Sequence, residues 1–319
     1  MPLRIPDGLP AAAVLKRENI FFMSSSDAAH QDIRPLRILL LNLMPKKIET
    51  EIHILRMLAN SPLQTDVELM RISDTPSKNT PIEHMETFYK DFSEIKNNKY
   101  DGMIITGAPL GQLEFEAVSF WPKLTEILDW TVTNVTSTLF LCWGVQAAMY
   151  HLYGIKKHIL EKKISGVYPH NLVDNLAPAV RGFDDVFNAP HSRYAEIKIE
   201  DINHHPELSL IASSKIAGAY VFQRLDGRHL FVTGHSEYEP DCLKDEYERD
   251  LASGLNPEIP ENYFRDNDPS LAPTVTWKSH GNLLFANWLN YYVYQLSPFD
   301  INDIGETLNE SFRHVDPSS

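Results

Sequence analysis

The sequence predicts an α/β fold, a mostly parallel sheet with helices on both faces. Short apolar runs alternate with helix-like periodicity through the first half of the chain, which is the pattern of parallel strands joined by crossover helices. The 319 residues are 43% hydrophobic, which is enough for one sizeable core. Charged residues make up 23% and are interspersed, which argues against wholesale disorder.

Periodicity predicts the elements of the first half in chain order. Residues 1–34 have no clear period and predict an irregular arm. An apolar run at residues 36–43 predicts a buried strand that ends at Pro45. Helical spacing of apolar residues then marks residues 48–59, where Ile48, Ile52, Leu55 and Leu58 form one stripe. The same reasoning predicts strands at 66–72, 100–106 and 137–141, and helices at 115–132 and 144–153.

The second half of the chain is more mixed. Asp226-Gly227 between two apolar runs, 219–222 and 229–233, predicts a β-hairpin. Residues 241–251 and 282–294 have helical patterns, whereas 160–215 are too rich in Pro, His and Asn for any assignment. We therefore expect an N-terminal arm at 1–34 that packs on the core, a single catalytic domain at 35–300 and a C-terminal tail at 301–319.

Composition excludes several classes of function. The formal net charge of −14 opposes binding to nucleic acid through the overall field. The two cysteines, a hundred residues apart, predict neither a disulfide framework nor a zinc site. No window approaches the roughly 20 apolar residues of a membrane span, and the N-terminus lacks the apolar stretch of a signal peptide. A cytoplasmic enzyme without membrane or nucleic-acid partners is expected.

A cysteine lies where the predicted strand 137–141 meets the next helix. In open α/β sheets, ligands bind beyond the carboxyl ends of the strands, so Cys142 projects toward such a crevice. The positive end of the following helix favours a thiolate there, and Gly144 lets the backbone turn tightly. These features predict a nucleophile, with a buried structural cysteine as the alternative.

A second candidate group follows the predicted strand 229–233. Side chains at i and i+2 share one face of an extended segment, so Glu237 can orient the imidazole of His235. The imidazole can then exchange protons with a nucleophile and a leaving group. An isolated His–Glu pair at a strand end is more often structural, but together with Cys142 it indicates a Cys–His–Glu arrangement.

Eight segments together give the chain a family resemblance. It is similar to the homoserine O-acyltransferases (homoserine trans-succinylases) of methionine biosynthesis, which have a class I glutamine amidotransferase-like fold. The segments are 42–47 (NLMPKK), 106–111 (TGAPLG), 142–146 (CWGVQ), 165–167 (SGV), 181–185 (RGFDD), 189–194 (APHSRY), 234–238 (GHSEY) and 277–285 (WKSHGNLLF).

The resemblance implies a two-step acyl transfer. Cys142 attacks the thioester of an acyl-coenzyme A, and homoserine's hydroxyl then takes the acyl group from the cysteine, with His235 and Glu237 serving both steps. It also implies a homodimer that needs no metal or cofactor beyond the acyl-coenzyme A co-substrate. The implied binding groups are the backbone N–H groups of Lys47 and Trp143 for the oxyanion, and Lys163, Ser192, Glu246 and Arg249 for the amino acid.

Position 111 bears on the acyl donor. In this family, glycine here resembles the succinyl-using members and glutamate the acetyl-using ones. Glutamate would fill the acyl pocket and repel succinate's free carboxylate, so Gly111 favours succinyl-coenzyme A. For Gly111 the alternative is a turn glycine after Pro109. For the protein, the alternatives are an acetyl-using enzyme, a glutamine amidohydrolase of the same fold, or a binding module whose Cys–His–Glu set is accidental.

Overall fold

One mixed sheet organises the part of the chain that the structure describes. This computed structural model describes residues 3–17, 22–24, 34–72 and 79–305. The strands are numbered in chain order, from β1 at Leu3–Ile5 to β12 at His229–Val232. Within these ranges, neighbouring strands follow the order β2-β1-β4-β3-β6-β7-β12-β11-β10-β8-β9, and β5 pairs with β4. Pairing is parallel from β2 to β12 and antiparallel from β12 to β9. The sheet is thus mostly parallel, with an antiparallel edge.

The strands and helices have the following bounds. The strands are β1 Leu3–Ile5, β2 Phe22–Ser24, β3 Leu36–Leu41, β4 Thr65–Arg71, β5 Tyr89–Asp91, β6 Tyr100–Ile105, β7 Val135–Leu141, β8 His158–Leu172, β9 Val186–Glu196, β10 Leu208–Ser214, β11 Gly218–Arg224 and β12 His229–Val232. The helices are α1 Pro10–Arg17, α2 Lys47–Ala59, α3 Ile82–Phe88, α4 Phe92–Ile95, α5 Trp121–Asn134, α6 Trp143–Tyr153, α7 Ile199–His204, α8 Cys242–Ala252 and α9 Lys278–Asn287, which continues as a π-helix over Trp288–Tyr294.

Alternate residues of the central strands face two separate hydrophobic cores. In β3, Ile38 and Leu40 pack in the core beneath α1, α2 and α9. Leu39 and Leu41 face the opposite core, which α5 and α6 cover. Because successive side chains of a strand point to opposite faces, helices on both faces require apolar residues at every position. The predicted fold class is confirmed. In the described residues, no helix is long and apolar enough to cross a membrane.

The structure corrects some predicted elements. The irregular arm is wrong for residues 3–17 and 22–24, which form β1, α1 and β2 and extend the sheet beyond β4. The helix predicted at 115–132 begins at Trp121, where Pro122 occupies the first turn and residues 115–117 form a 3₁₀ turn. The division into arm, domain and tail stays a prediction, and residues 306–319 of the tail lie outside the described ranges.

The region without a sequence assignment forms the antiparallel edge. Residues 160–215 contribute most of β8 and all of β9, α7 and β10. The burial of β8 does not alternate over its first eight residues, so it lacks the period that marks a half-buried strand. The predicted hairpin at Asp226-Gly227 is confirmed as β11 and β12.

Candidate active site

Cys142 stands at a strained turn between β7 and α6. Its φ of 47° and ψ of −109° lie in a region that L-residues rarely adopt. The other described non-glycine residues with positive φ are asparagine or aspartate. The backbone N–H of Cys142 donates to the Val232 carbonyl at 2.8 Å, which ties the turn to the end of the adjacent parallel strand β12. Such strain at the carboxyl edge of a sheet is typical of a functional residue.

Two glycines make this turn possible. A Cβ at position 144 would lie 2.9 Å from the backbone oxygens of both Ile105 and Thr106, atoms that cannot move aside. A Cβ at Gly107 would lie 3.2 Å from the Cβ of Cys142. The loop after β6 therefore packs directly against the strand-to-helix turn at Cys142, here called the elbow. The prediction that Gly144 permits a tight turn is confirmed.

His235 and Glu237 form a buried pair beside the cysteine. His235 Nδ1–H donates to Glu237 Oε1 at 2.7 Å, and both side chains are more than 90% buried. Since the carboxylate holds Nδ1, the other ring nitrogen is left for Cys142, with which the imidazole also forms a hydrogen bond. The adjacency of β7 and β12 thus brings together the predicted Cys–His–Glu set.

The electrostatics of the site favour a charged imidazole. Burial alone would lower the pKa of His235. The charges of Cys142 and Glu237, together with hydrogen bonds to both, outweigh it and hold that pKa well above its usual value. The arrangement therefore favours the protonated form of the imidazole between these two side chains.

Buried basic groups surround this pair. Burial lowers the pKa of His191 well below its usual value, so its ring stays neutral next to His235. Its Nε2 lies 3.0 Å from Nε2 of His170, another buried ring. Arg193 is 5% exposed, donates to the carbonyls of Ala195 and Ala217, and interacts electrostatically with Cys142.

The two predicted oxyanion donors are both first residues of helices. Trp143 begins α6 and Lys47 begins α2, so neither backbone N–H has a carbonyl partner within its own helix. The N–H of Lys47 has a long contact, 3.4 Å, with Thr80 Oγ1. The loop before α2 joins the elbow region through the N–H of Leu43, which donates to Thr106 Oγ1 at 2.8 Å. Their role in stabilising an oxyanion stays a prediction.

A buried polar network supports the loop before α2. Lys47 Nζ donates to the carbonyl of Asn42 at 2.6 Å, and burial lowers its pKa to about 8. Asn42 Nδ2 donates to the Tyr89 hydroxyl at 3.0 Å, and Tyr89 donates to Glu51 Oε1 at 2.6 Å. His84 Nε2 lies 2.9 Å from the same carboxylate.

Glu51 was missed at the sequence level, although a signal was present. It is fully buried and lies at helical spacing within the apolar stripe of α2, three residues after Ile48 and four before Leu55. A charged residue on a buried face requires partners. Here the partners are Tyr89 and His84, and their effect is to fix the segment that leads into Lys47.

Three of the four predicted amino-acid-binding residues meet at α8. Glu246 accepts hydrogen bonds from the Ser192 hydroxyl and from Lys163 Nζ, the latter at 3.2 Å. Its other oxygen accepts from the Tyr238 hydroxyl at 2.9 Å. These groups come from β8, β9 and α8 and from the segment after β12. The cluster therefore adjoins His235, whose ring stacks on Tyr238 at 4.2 Å between centroids.

Arg249 has a different environment from Glu246. Its guanidinium donates twice to Asp250 Oδ1, at 2.9 and 2.7 Å, and its side chain is 62% exposed. Asp250 also lies 3.4 Å from Lys163. Sequence reasoning missed Asp250, which links the two basic groups. Glu246 and Arg249 thus have separate ion-pair partners, Lys163 and Asp250, and the carboxylate-binding role of Arg249 stays a prediction.

Gly111 occupies an open position in the loop after β6. A Cβ there would meet nothing within 4 Å, and its φ is not in the left-handed region. Its carbonyl accepts from Lys157 Nζ at 2.8 Å. Neither turn geometry nor packing requires glycine at 111, which weakens the alternative of a turn glycine. Among the described residues, no group of three or more His, Cys, Asp or Glu is suited to a metal ion.

Comparison with known proteins identifies the fold and the family of this chain. A solved glutamine amidotransferase from Thermotoga maritima aligns with 81% of this chain and 98% of its own, with a TM-score of 0.52 at 12% identity, which shows a shared fold. Two homoserine O-succinyltransferases are 57% identical to the chain. The one from Shewanella amazonensis aligns with 95% of this chain and 96% of its own, and the one from Shewanella piezotolerans with 98% and 99%. The model of the homoserine O-succinyltransferase family matches residues 2–299, and the chain belongs to that family.

Proposed function

We propose that this chain transfers the succinyl group of succinyl-coenzyme A to the hydroxyl of L-homoserine through a thioester on Cys142. The observation that carries the mechanism is the strained elbow of Cys142, whose thiol shares a hydrogen bond with the buried His235–Glu237 pair. Membership of the homoserine O-succinyltransferase family supplies the acceptor and the donor. The products are O-succinyl-L-homoserine and free coenzyme A, in a ping-pong sequence.

In the first step, the Cys142 thiolate attacks the thioester carbonyl. The carbonyl oxygen becomes an oxyanion, for which the N–H groups of Lys47 and Trp143 are the proposed donors. The carbon–sulfur bond to coenzyme A then breaks, and the departing thiolate takes the proton of the His235 imidazolium. One thioester replaces another, so the step is nearly balanced in free energy.

In the second step, His235 changes from acid to base. The charge of Cys142 raises the pKa of the imidazole, and acylation removes that charge. The neutral ring then accepts the proton of homoserine's hydroxyl while the oxygen attacks the acyl-cysteine. The Cys142 thiolate leaves and restores the ion pair. An oxygen ester is lower in energy than a thioester, so this step runs forward.

The cluster on α8 is the proposed acceptor site. The Glu246 carboxylate has about four acceptor positions, and three donors, Ser192, Lys163 and Tyr238, approach it. One position is left for the α-ammonium of homoserine. The exposed Arg249 is the proposed partner of the α-carboxylate, since a guanidinium matches a carboxylate in two-pronged fashion.

Gly111 supports succinate as the acyl group. Because a Cβ at this position would meet open space, glycine leaves room that a glutamate would fill with bulk and negative charge. The same mechanism with acetyl-coenzyme A is the second candidate, and Gly111 is the residue that disfavours it.

The wider setting is also proposed. A catalytic thiol must stay reduced, a condition that the cytoplasm provides, and the product belongs to methionine biosynthesis. No cofactor beyond the co-substrate is needed by the two steps of the proposed reaction.

A homodimer is favoured by the exposed apolar side chains at one end of the β8–β9 hairpin. These are Val173, Leu176 and Val186, which face solvent.

Steady-state kinetics test the proposed function. Purified protein is assayed with succinyl- or acetyl-coenzyme A and homoserine, with product identification by mass spectrometry, and separately with glutamine. The expected result is O-succinylhomoserine with parallel lines in double-reciprocal plots. Faster turnover of acetyl-coenzyme A would overturn the choice of donor, and release of ammonia from glutamine without acyl transfer would overturn the reaction class.

A further inference from the structure

Tyr238 connects the catalytic imidazole to the proposed acceptor site. Its ring stacks on His235 with 4.2 Å between centroids and an 18° interplanar angle. Its hydroxyl donates to Glu246 Oε1 at 2.9 Å. One side chain thus contacts the group that handles the proton and the group proposed to hold the substrate's ammonium.

The position of Tyr238 is fixed from several sides. Its backbone carbonyl accepts from the Trp277 indole N–H at 2.9 Å, and its N–H donates to the carbonyl of His235 at 3.1 Å. The ring belongs to a small hydrophobic cluster with Leu243, at the start of α8, and the fully buried Trp277. A residue held at both backbone and ring is able to transmit that rigidity to its partners.

The phenol stays a hydrogen-bond donor throughout the working range of the enzyme. Burial raises its pKa well above the usual value, and the charges of Glu246, Glu237 and Cys142 raise it further. A neutral phenol has one O–H to donate, and here it goes to Glu246. Hydrogen bonds to a charged carboxylate are stronger than those between neutral groups.

We propose that Tyr238 is a positioning residue that sets the register between homoserine's ammonium at Glu246 and its hydroxyl at His235. The hydroxyl of Tyr238 orients the carboxylate and leaves its free acceptor position for the substrate, while the ring fixes the plane of the imidazole. This inference rests on the proposed function and extends it. It predicts that the Tyr238 hydroxyl matters for the acceptor half of the reaction and not for acylation of Cys142.

The test separates the two half-reactions in Tyr238→Phe. This variant keeps the ring over His235 and loses only the bond to Glu246. Acylation is followed as the release of free coenzyme A from succinyl-coenzyme A in a single turnover without homoserine, and the acceptor half as turnover against homoserine concentration. We expect an acylation rate within about twofold of wild type and a homoserine KM raised by about tenfold, the effect of one charge-assisted hydrogen bond.

Two further variants show whether Tyr238 acts through Glu246. In a Glu246→Gln background, the added Tyr238→Phe change should have little further effect on the homoserine KM, because the carboxylate that it orients is already gone. Tyr247→Phe is the matched control, a hydroxyl removed from α8 at a ring that packs on Phe264. Tyr247→Phe should leave both half-reactions unchanged.

Three results would overturn the proposal: equal slowing of both half-reactions in Tyr238→Phe, an unchanged homoserine KM, or fully additive effects of the two substitutions at 238 and 246. Failure of the proposed function gives a different result, since the wild-type protein would then fail to release coenzyme A from either donor.

Discussion

Replacing Glu237 with glutamine tests the electrostatic role of the buried pair. The substitution keeps the size and shape of the side chain and removes one charge at 2.7 Å from His235 Nδ1. A hydrogen bond to a charged group contributes about 1.5–3 kcal/mol and a neutral one about 0.5–1.5 kcal/mol. The difference of about 1–1.5 kcal/mol predicts a loss of roughly tenfold in kcat/KM for succinyl-coenzyme A.

The pH profile gives a sharper signature than the rate. The reactive ion pair is present below the raised pKa of His235 and is lost as pH rises through that pKa. Glu237 is one cause of the raised pKa, so Glu237→Gln should move the alkaline limb of kcat/KM to lower pH. The structure also predicts lower stability, by about 1 kcal/mol, because the charge-assisted hydrogen bond between His235 and Glu237 Oε1 becomes a neutral one.

The matched control is Glu239→Gln. Glu239 carries the same charge two residues later but pairs with Lys278 at 2.8 Å and Arg56 at 3.3 Å, away from the imidazole. This variant should keep the alkaline limb of the wild type. An alkaline limb that stays in place in Glu237→Gln, or moves upward, would refute the role given to Glu237. The assay is initial-rate kinetics across pH, with urea denaturation for stability.

Two more predictions concern the acyl pocket and the loop before α2. Gly111→Glu should lower the succinyl-to-acetyl ratio of kcat/KM at least about fivefold, because two like charges near 4 Å repel by about 1–4 kcal/mol. Gly111→Ala adds no charge and should keep the preference for succinyl-coenzyme A. Equal ratios in both variants would count against the charge argument. The pKa of Lys47 is about 8 in the folded protein and higher in the unfolded chain. As pH rises between these two pKa values, the folded protein holds the neutral amine, so burial of Lys47 costs less free energy. The unfolding free energy of wild type relative to Lys47→Met should therefore increase by up to about 3 kcal/mol over that range in urea titrations, and a difference independent of pH would contradict it.

Local pattern was sufficient to predict the segments that contribute the Cys–His–Glu set. The apolar run before Cys142 and the Gly144 after it mark a strand-to-helix elbow in the sequence. His235 and Glu237 do pair as predicted, but through a turn at residues 236–237 and not as i and i+2 neighbours of an extended segment. The spacing of residues along the chain does not predict that β12 lies next to β7. That pairing arises from the tertiary fold, and it brings the imidazole of His235 to Cys142.

The acceptor cluster was harder to foresee. Lys163 and Glu246 are 83 residues apart and meet because β8 runs past α8. Glu246 and Arg249 are three residues apart on α8, a spacing that allows contact on one helical face. Asp250 instead binds the guanidinium and Ser192 the carboxylate, so the two residues have different partners. Such competition depends on distant segments, so the sequence pattern of α8 alone was insufficient.

The central claim is that Cys142 carries the acyl group, and mass spectrometry of the isolated intermediate tests it most directly. The protein is mixed with succinyl-coenzyme A without homoserine, quenched in acid and digested. A succinyl group on the peptide that contains Cys142 is predicted, present also in Cys242→Ser, absent in Cys142→Ser and lost from wild type when homoserine is added before the quench. An unmodified Cys142 under conditions of full turnover, or a succinyl group that reaches homoserine from another residue, would contradict the account.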